Sequence, residues 1–280
     1  MSSNAYWYIG LSIVSLLVLT IALARAKSLR AVFHVFMMTQ MAYLIETVIY
    51  IFGSSYFYRP GFLKDSAYFD SNMGALTSNM LVIPTAALVI AVYRLRWKGI
   101  AVAIALIGAI EWLWVELGLY TLNWWRIEYT AIGLTMYFPF ARLVYDRLRR
   151  PAAGILHSSL LFLVVAPILG TLHIVPIMLV MNRSYDPGWF GDPPHDTTAF
   201  SSVYYVVMAL VIVTTMKIQR GHTWVKFLAI ASFIFIVTRV LLATELLRIH
   251  VWWDPWYYCL FPSTAYLLLK PVSARLARGG

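Results

Sequence analysis

Five charged side chains stand in stretches of this chain that are otherwise apolar: Glu46, Glu111, Glu116, Glu245 and Arg239. His173 sits in a similar setting. These residue types can hold an ion, pass a proton or bind a cationic group. A charge at the centre of a bilayer costs about 2.5–3.5 kcal/mol on insertion scales, so each should face protein or a cavity. Glu111 and Arg239 are 128 residues apart, an offset that recurs elsewhere in the chain, and they are expected to pair. Glu46 and His173 are expected to form a second, proton-titrating pair. Glu111 and Glu116 lie about 140° apart on a helix and cannot face one point. Trp112 and Trp114 flank Glu111; aromatic walls beside buried carboxylates suit an apolar or cationic ligand.

Metal and cofactor chemistry find little support. No HExxH or comparable ligand spacing occurs. Cys259 is the one cysteine, which excludes an intrachain disulfide and a Cys-based zinc or redox site. His34 and His157 read as polar packing residues. Asp192, His195 and Asp196 read as a solvated loop. No metal and no cofactor are expected.

The elements that must position these residues follow from hydropathy. Of the 280 residues, 61% are hydrophobic and 12% charged, with a mean hydropathy of +0.74. A soluble domain carries about 25% charged residues. The chain therefore reads as an all-α polytopic membrane protein. Apolar runs of roughly 20 residues fall at 6–25, 31–53, 74–94, 99–121, 129–147, 152–181, 199–217, 224–248 and 255–270. The sixth contains Pro167 and Pro176 and is expected to be kinked, tilted or broken near its outer end; the ninth is short and interrupted by Pro262. The five charged residues and His173 then occupy spans two, four, six and eight, in the outer half of the bilayer. The first eight residues carry no Lys or Arg, so the first run reads as a retained span rather than a signal peptide.

Lys and Arg give the orientation. Fifteen of the 22 basic residues cluster at alternate junctions, from Arg25, Lys27 and Arg30 to Lys270, Arg275 and Arg278. Seven acids, among them Asp70, Asp186 and Asp196, fall on the other side. The N-terminus is thus expected outside and the C-terminus in the cytoplasm. The net charge of +10 is topological; its expected partners are membrane lipids, anionic ones at the basic cytoplasmic face, and not nucleic acid. The longer loops, 54–73 and 182–198, are expected outside, and the short inner connections leave no cytoplasmic catalytic or signalling domain to be expected.

Two halves share a layout. Trp124-Trp125 and Trp252-Trp253, like Lys98 and Lys226, are 128 residues apart, and GALTSN at 74–79 matches TAFSSV at 198–203. The reading is a leading helix at 1–30, a four-helix repeat at 31–151 and a second at 152–280, in parallel topology. The stretches YLIETVIYIFG (43–53), NMLVIPTAALVI (79–90), AIEWLWVELGLYTLNWW (109–125) and YFPFARLVYDRLRRP (137–151) resemble an uncharacterised family of small integral membrane proteins of spore-forming Firmicutes. Members have about one such unit, with a mid-span Pro, an acid before a Gly-Tyr/Phe turn, an outer Trp cluster and a Phe-Pro-x-x-Arg exit. The second half matches more weakly. The resemblance implies the architecture and a bacterial cytoplasmic-membrane location, and no activity.

Three functions are compatible with these features. The first is transport or binding of a small or amphipathic molecule, at a site between the repeats in the outer leaflet. The second is an intramembrane enzyme acting on a lipid or isoprenoid, since the Gln40–Tyr50 context is loosely similar to that of integral membrane terpene cyclases. The third is a non-catalytic membrane scaffold.

Overall fold

The computed structural model describes residues 3–218 and 220–279. Nine helices occur among them. Seven are long and apolar enough to cross a membrane: α1 (Ser3–Ala26), α2 (Leu29–Phe52), α3 (Ala67–Val92), α4 (Trp97–Glu116), α6 (Gly154–Val180), α7 (Pro193–Lys217) and α8 (Thr223–Ala243). Two more, α5 (Ile127–Arg147) and α9 (Asp254–Arg278), are of similar length but more polar. The first carries Glu128, Arg142, Asp146 and Arg147; the second carries Asp254, Lys270, Arg275 and Arg278. In α1, α4 and α8 only 17%, 11% and 17% of the most apolar stretch is buried, so their other apolar faces are exposed, as a lipid solvent permits. The protein is membrane-embedded.

Helix ends differ from the hydropathy reading. Helix α3 begins at Ala67, not near 74, because Ser66 caps it by accepting from the Phe69 amide at 3.2 Å. Helix α4 stops at Glu116 and α8 at Ala243; the residues that followed them form a tight turn and then a short strand. Strand β1 (Tyr56–Tyr58) pairs antiparallel with β2 (Tyr120–Leu122), matching Tyr56 to Leu122 and Tyr58 to Tyr120. Strand β3 (Arg183–Tyr185) pairs with β4 (Leu247–Ile249), matching Arg183 to Ile249 and Tyr185 to Leu247.

The proline-bearing helices are continuous. Helix α6 runs unbroken through Pro167 and Pro176. Pro176 has no N–H for the Leu172 carbonyl four residues back, and the Tyr257 hydroxyl donates to that carbonyl instead, at 2.7 Å. Helix α9 likewise extends through Pro262 and Pro271 for 25 residues, rather than ending near 270. At Pro176 a tertiary partner thus takes over the freed carbonyl, one of the ways membrane helices tolerate proline.

The chain divides into two compact units, one ending at Arg150 and the other spanning Pro151–Gly279. In the first, α3 is central and packs against α1, α2 and α5, with α4 against α5. Small residues (Ala22, Ala31, Ala87, Ala91, Ala141) let these helices approach closely. Both α2 and α3 contain a π-helical turn, at Thr47–Phe52 and Thr77–Val82. The second directly precedes Pro84, where a regular helical hydrogen bond cannot form. In the second unit α6 packs on α7, and α9 packs on both α6 and α8.

Candidate functional site

Glu46 is the last residue of the regular part of α2, immediately before the π turn. Its side chain is buried, at 8% exposure. The Tyr56 hydroxyl donates to its Oε2 at 2.6 Å. Its Oε1 is buried without a hydrogen bond; the Asn79 amide, on the π turn of α3, is close enough to interact with the carboxyl. Glu111 projects from α4, half-buried, with Thr130 of α5 beside it and its own Oε1 buried and unpaired.

Both carboxyls line one partly open cavity of about 200 Å³ inside the first unit. Tyr56, Tyr58, Tyr120, Trp114 and Trp125 form its aromatic wall. The strands set this wall. Alternation puts Tyr56 and Tyr58 on one face of β1, and pairing lays Tyr120 against them, with ring centroids 5.2 and 4.8 Å away. Helix α1 locks the end of the sheet: the Tyr8 hydroxyl donates to the Leu119 carbonyl at 2.7 Å, and its ring lies 4.3 Å from Trp114. Helix α3 comes close because Gly74 sits against Tyr58; a Cβ there would fall 2.5 Å from the Tyr58 Cβ. Both π turns contribute, Ile49 from the first and Ser78, Asn79 and Val82 from the second.

The electrostatics of the wall are set by burial. Burial, then the Glu46 carboxylate, pushes the Tyr56 and Tyr58 hydroxyls well above the usual phenol range. Burial, then Tyr58, Glu111 and Glu46, does the same to Tyr120. These phenols stay neutral, so Tyr56 acts toward Glu46 as a donor. No Lys, Arg or His lines the cavity. Among the described residues, no three His, Cys, Asp or Glu side chains gather as metal ligands would.

Within the first unit, the structure therefore brings together Glu46, Glu111 and Trp114. Trp112 is 57% exposed, two residues from Trp114 and on another face of α4. Glu116 is the exposed last residue of α4 rather than a mid-span acid. Glu245 lies beyond the end of α8, exposed in a turn with φ of 61°. Arg239 is exposed, four residues before the end of α8, where a long side chain can snorkel toward the interface. Asp192 accepts from the His195 amide as the N-cap of α7, and Asp196 accepts from the Phe190 amide at 2.7 Å. Their carboxylates shape the loop.

His173 belongs to a different cluster, in the second unit. It is buried among Tyr185, Tyr204 and Tyr258, its Nε2 3.3 Å from the Tyr185 hydroxyl. Beside it lies a feature the hydropathy scan did not single out. Arg183, fully buried, makes a two-pronged ion pair with Asp254: Nη2 to Oδ1 at 2.6 Å and Nε to Oδ2 at 2.9 Å. Its Nη1 donates to the Tyr185 hydroxyl at 2.8 Å, and its guanidinium carbon lies 3.3 Å from the centre of the Tyr258 ring. Burial works against the charge, but Tyr185 and the Asp254 carboxylate more than compensate and hold the guanidinium pKa above its ordinary value. Arg183 escaped notice because it sits in a polar loop, where an arginine reads as solvated. Tyr56, Tyr58 and Tyr120 escaped because their convergence depends on strand pairing across more than sixty residues.

No known protein family, curated protein or solved structure matches the chain.

Proposed function

We propose that this is a multi-pass cell-membrane protein that binds a small or amphipathic molecule in the cavity of its first unit, as a receptor or as the loading step of a transporter. The observation that carries this reading is the buried Glu46 carboxyl, with one oxygen unpaired, facing an aromatic-walled space of about 200 Å³. An unpaired buried acceptor costs about 1–3 kcal/mol or more. A packed scaffold has no reason to keep that cost, and a binding site recovers it when occupied.

In this proposal all nine helices span, with the N-terminus outside, so that α5 and α9 complete the basic and acidic alternation. The strand-bearing end, with the cavity, then lies toward the outer face. The proposal also includes duplication. Both strand pairs recur at an offset of 127, and so do their flanking hydrogen bonds: Asn123 N–H to Ser55 O with His250 N–H to Asn182 O, and Arg59 N–H to Leu119 O with Asp186 N–H to Leu246 O. Tyr58 and Tyr185 both donate their amides to a hydroxyl at the start of the next helix, Ser71 and Thr197. This offset makes Glu46 the counterpart of His173 and Tyr56 the counterpart of Arg183. It makes Glu111 the counterpart of buried Thr238, one residue before Arg239.

Plugging the cavity tests the binding reading. Gly133 lines it, and a Cβ there meets nothing within 4 Å, so Gly133→Phe should fill the space without a backbone clash. A panel of amphipathic molecules should raise the unfolding temperature of the wild-type protein and not that of the variant. Equal stabilisation of both, or of neither, would overturn it.

A further inference from the structure

We infer that the first-unit cavity selects a small organic cation, a quaternary or protonated amine, over neutral or anionic molecules. This rests on the binding reading above and adds the ligand class.

The lining supplies two carboxyls and no basic side chain to balance them. Glu46 and Glu111 both reach the cavity, each with a buried Oε1 that lacks a hydrogen bond, and no basic side chain lines it. Glu46 is more than nine-tenths buried. An anion would meet two carboxylates. A neutral apolar molecule would cover both and leave them unpaired, which is costly. A cation answers both, and the faces of Tyr58, Tyr120 and Trp114 attract it through their quadrupoles.

The same chain already builds such a cage around a cation of its own. In the second unit the Arg183 guanidinium lies between the Asp254 carboxylate and the Tyr258 ring, with Tyr185 as a further partner. The position equivalent to Arg183 in the first unit is Tyr56. There the carboxylates and aromatic rings are present and the side-chain cation is not. Tyr185 corresponds to Tyr58, whereas Asp254 and Tyr258 correspond to Ile127 and Ala131, so the first unit draws its carboxyls from Glu46 and Glu111 instead and sets them around an open space rather than around a side-chain cation.

The test uses the full chain purified in dodecyl maltoside, which has no amine headgroup. Tetramethylammonium, choline and benzyltrimethylammonium are titrated against uncharged carbon isosteres such as neohexanol, following Trp emission and unfolding temperature. The expected result is saturable cation binding, with isosteres weaker by about tenfold, as a desolvated cation–π and carboxylate contact implies. Glu46→Gln and Glu111→Gln should each erase most of that preference, and Gly133→Phe should abolish binding. Glu111 is only half-buried, so Glu111→Gln keeps the test if Glu46→Gln fails to fold. Short-chain phosphatidylcholine against free choline at equal concentration tells a lipid headgroup from a free amine, and tighter binding of either supports the cation class. Isosteres that bind as tightly as the cations, and are still blocked by Gly133→Phe, would overturn the cation inference and leave the cavity reading standing. If no probe binds, and none of the three variants changes the response, both fall.

Discussion

The Tyr56 hydroxyl donates to Glu46 at 2.6 Å, joining strand β1 to the point where α2 changes from α- to π-helical winding. This bond from a phenol to a buried carboxyl fixes the side chain that faces the cavity.

Tyr56→Phe removes that donor and leaves the Glu46 carboxyl without it. The variant should lose about 1–3 kcal/mol of stability, the cost of stranding a buried acceptor. Tyr93→Phe, at a 46% exposed tyrosine, should stay within about 0.5 kcal/mol of wild type. Unfolding in mixed micelles checks both; equal losses would mean that the Tyr56–Glu46 bond contributes nothing specific.

The helices were legible because hydropathy alone marks them, and Glu46 and Glu111 were legible because a carboxyl in an apolar run stands out. Helix ends were not. Tyr120 and Thr121 read as the end of a span, since a strand of apolar residues and a helix of apolar residues score alike over a few positions. The start of α3 at Ala67 was written in its cap, Ser66 followed by Asp70 in the first turn, but an apolar window does not see polar caps. That α6 is unbroken at Pro176 was not legible for a related reason: the carbonyl that the proline frees is taken up by a hydroxyl from Tyr257, eighty-five residues from Leu172.

Asp70 organises the loop after β1. Its carboxylate accepts the amides of Gly61, Phe62 and Leu63 at 2.8, 2.6 and 2.8 Å. Asp196 accepts the Phe190 amide. Bonds to a charged acceptor are worth about 1.5–3 kcal/mol, so Asp70→Ala should cost about 3 kcal/mol and Asp196→Ala about half of that. Hydrogen exchange should rise at 61–63 in the first variant and at 190 in the second. Unchanged exchange at 61–63 would remove Asp70 from this role.

Topology is open to labelling. On a Cys259→Ser background, cysteines at Lys64 and Gly191 should react with an impermeant maleimide added outside intact cells. Cysteines at Trp97 and Gly221 should react only after permeabilisation. All four positions are exposed. Labelling of Lys64 and Gly191 from opposite sides would break the nine-span alternation, and labelling of both from inside would invert it.

The Arg183–Asp254 pair gives the largest predicted effect. Both side chains are almost wholly buried, at 1% and 0%. Asp254→Leu strands the guanidinium and also removes the partner of Asn182, whose side-chain amide donates to the same carboxylate. Removing one member of a buried pair costs about 3–5 kcal/mol, because the other charge is left uncompensated. The double replacement Arg183→Met with Asp254→Leu removes both charges and should recover much of that loss, since desolvation offsets most of the attraction in a buried pair. The Tyr258 ring, now facing Met rather than a guanidinium, keeps an apolar contact. Thermal unfolding of the three variants forms a cycle with wild type. A double variant no more stable than Asp254→Leu alone would mean that the hydrogen bonds to Tyr185 and Asn182, and not the pairing of charges, make this cluster hold the second unit together.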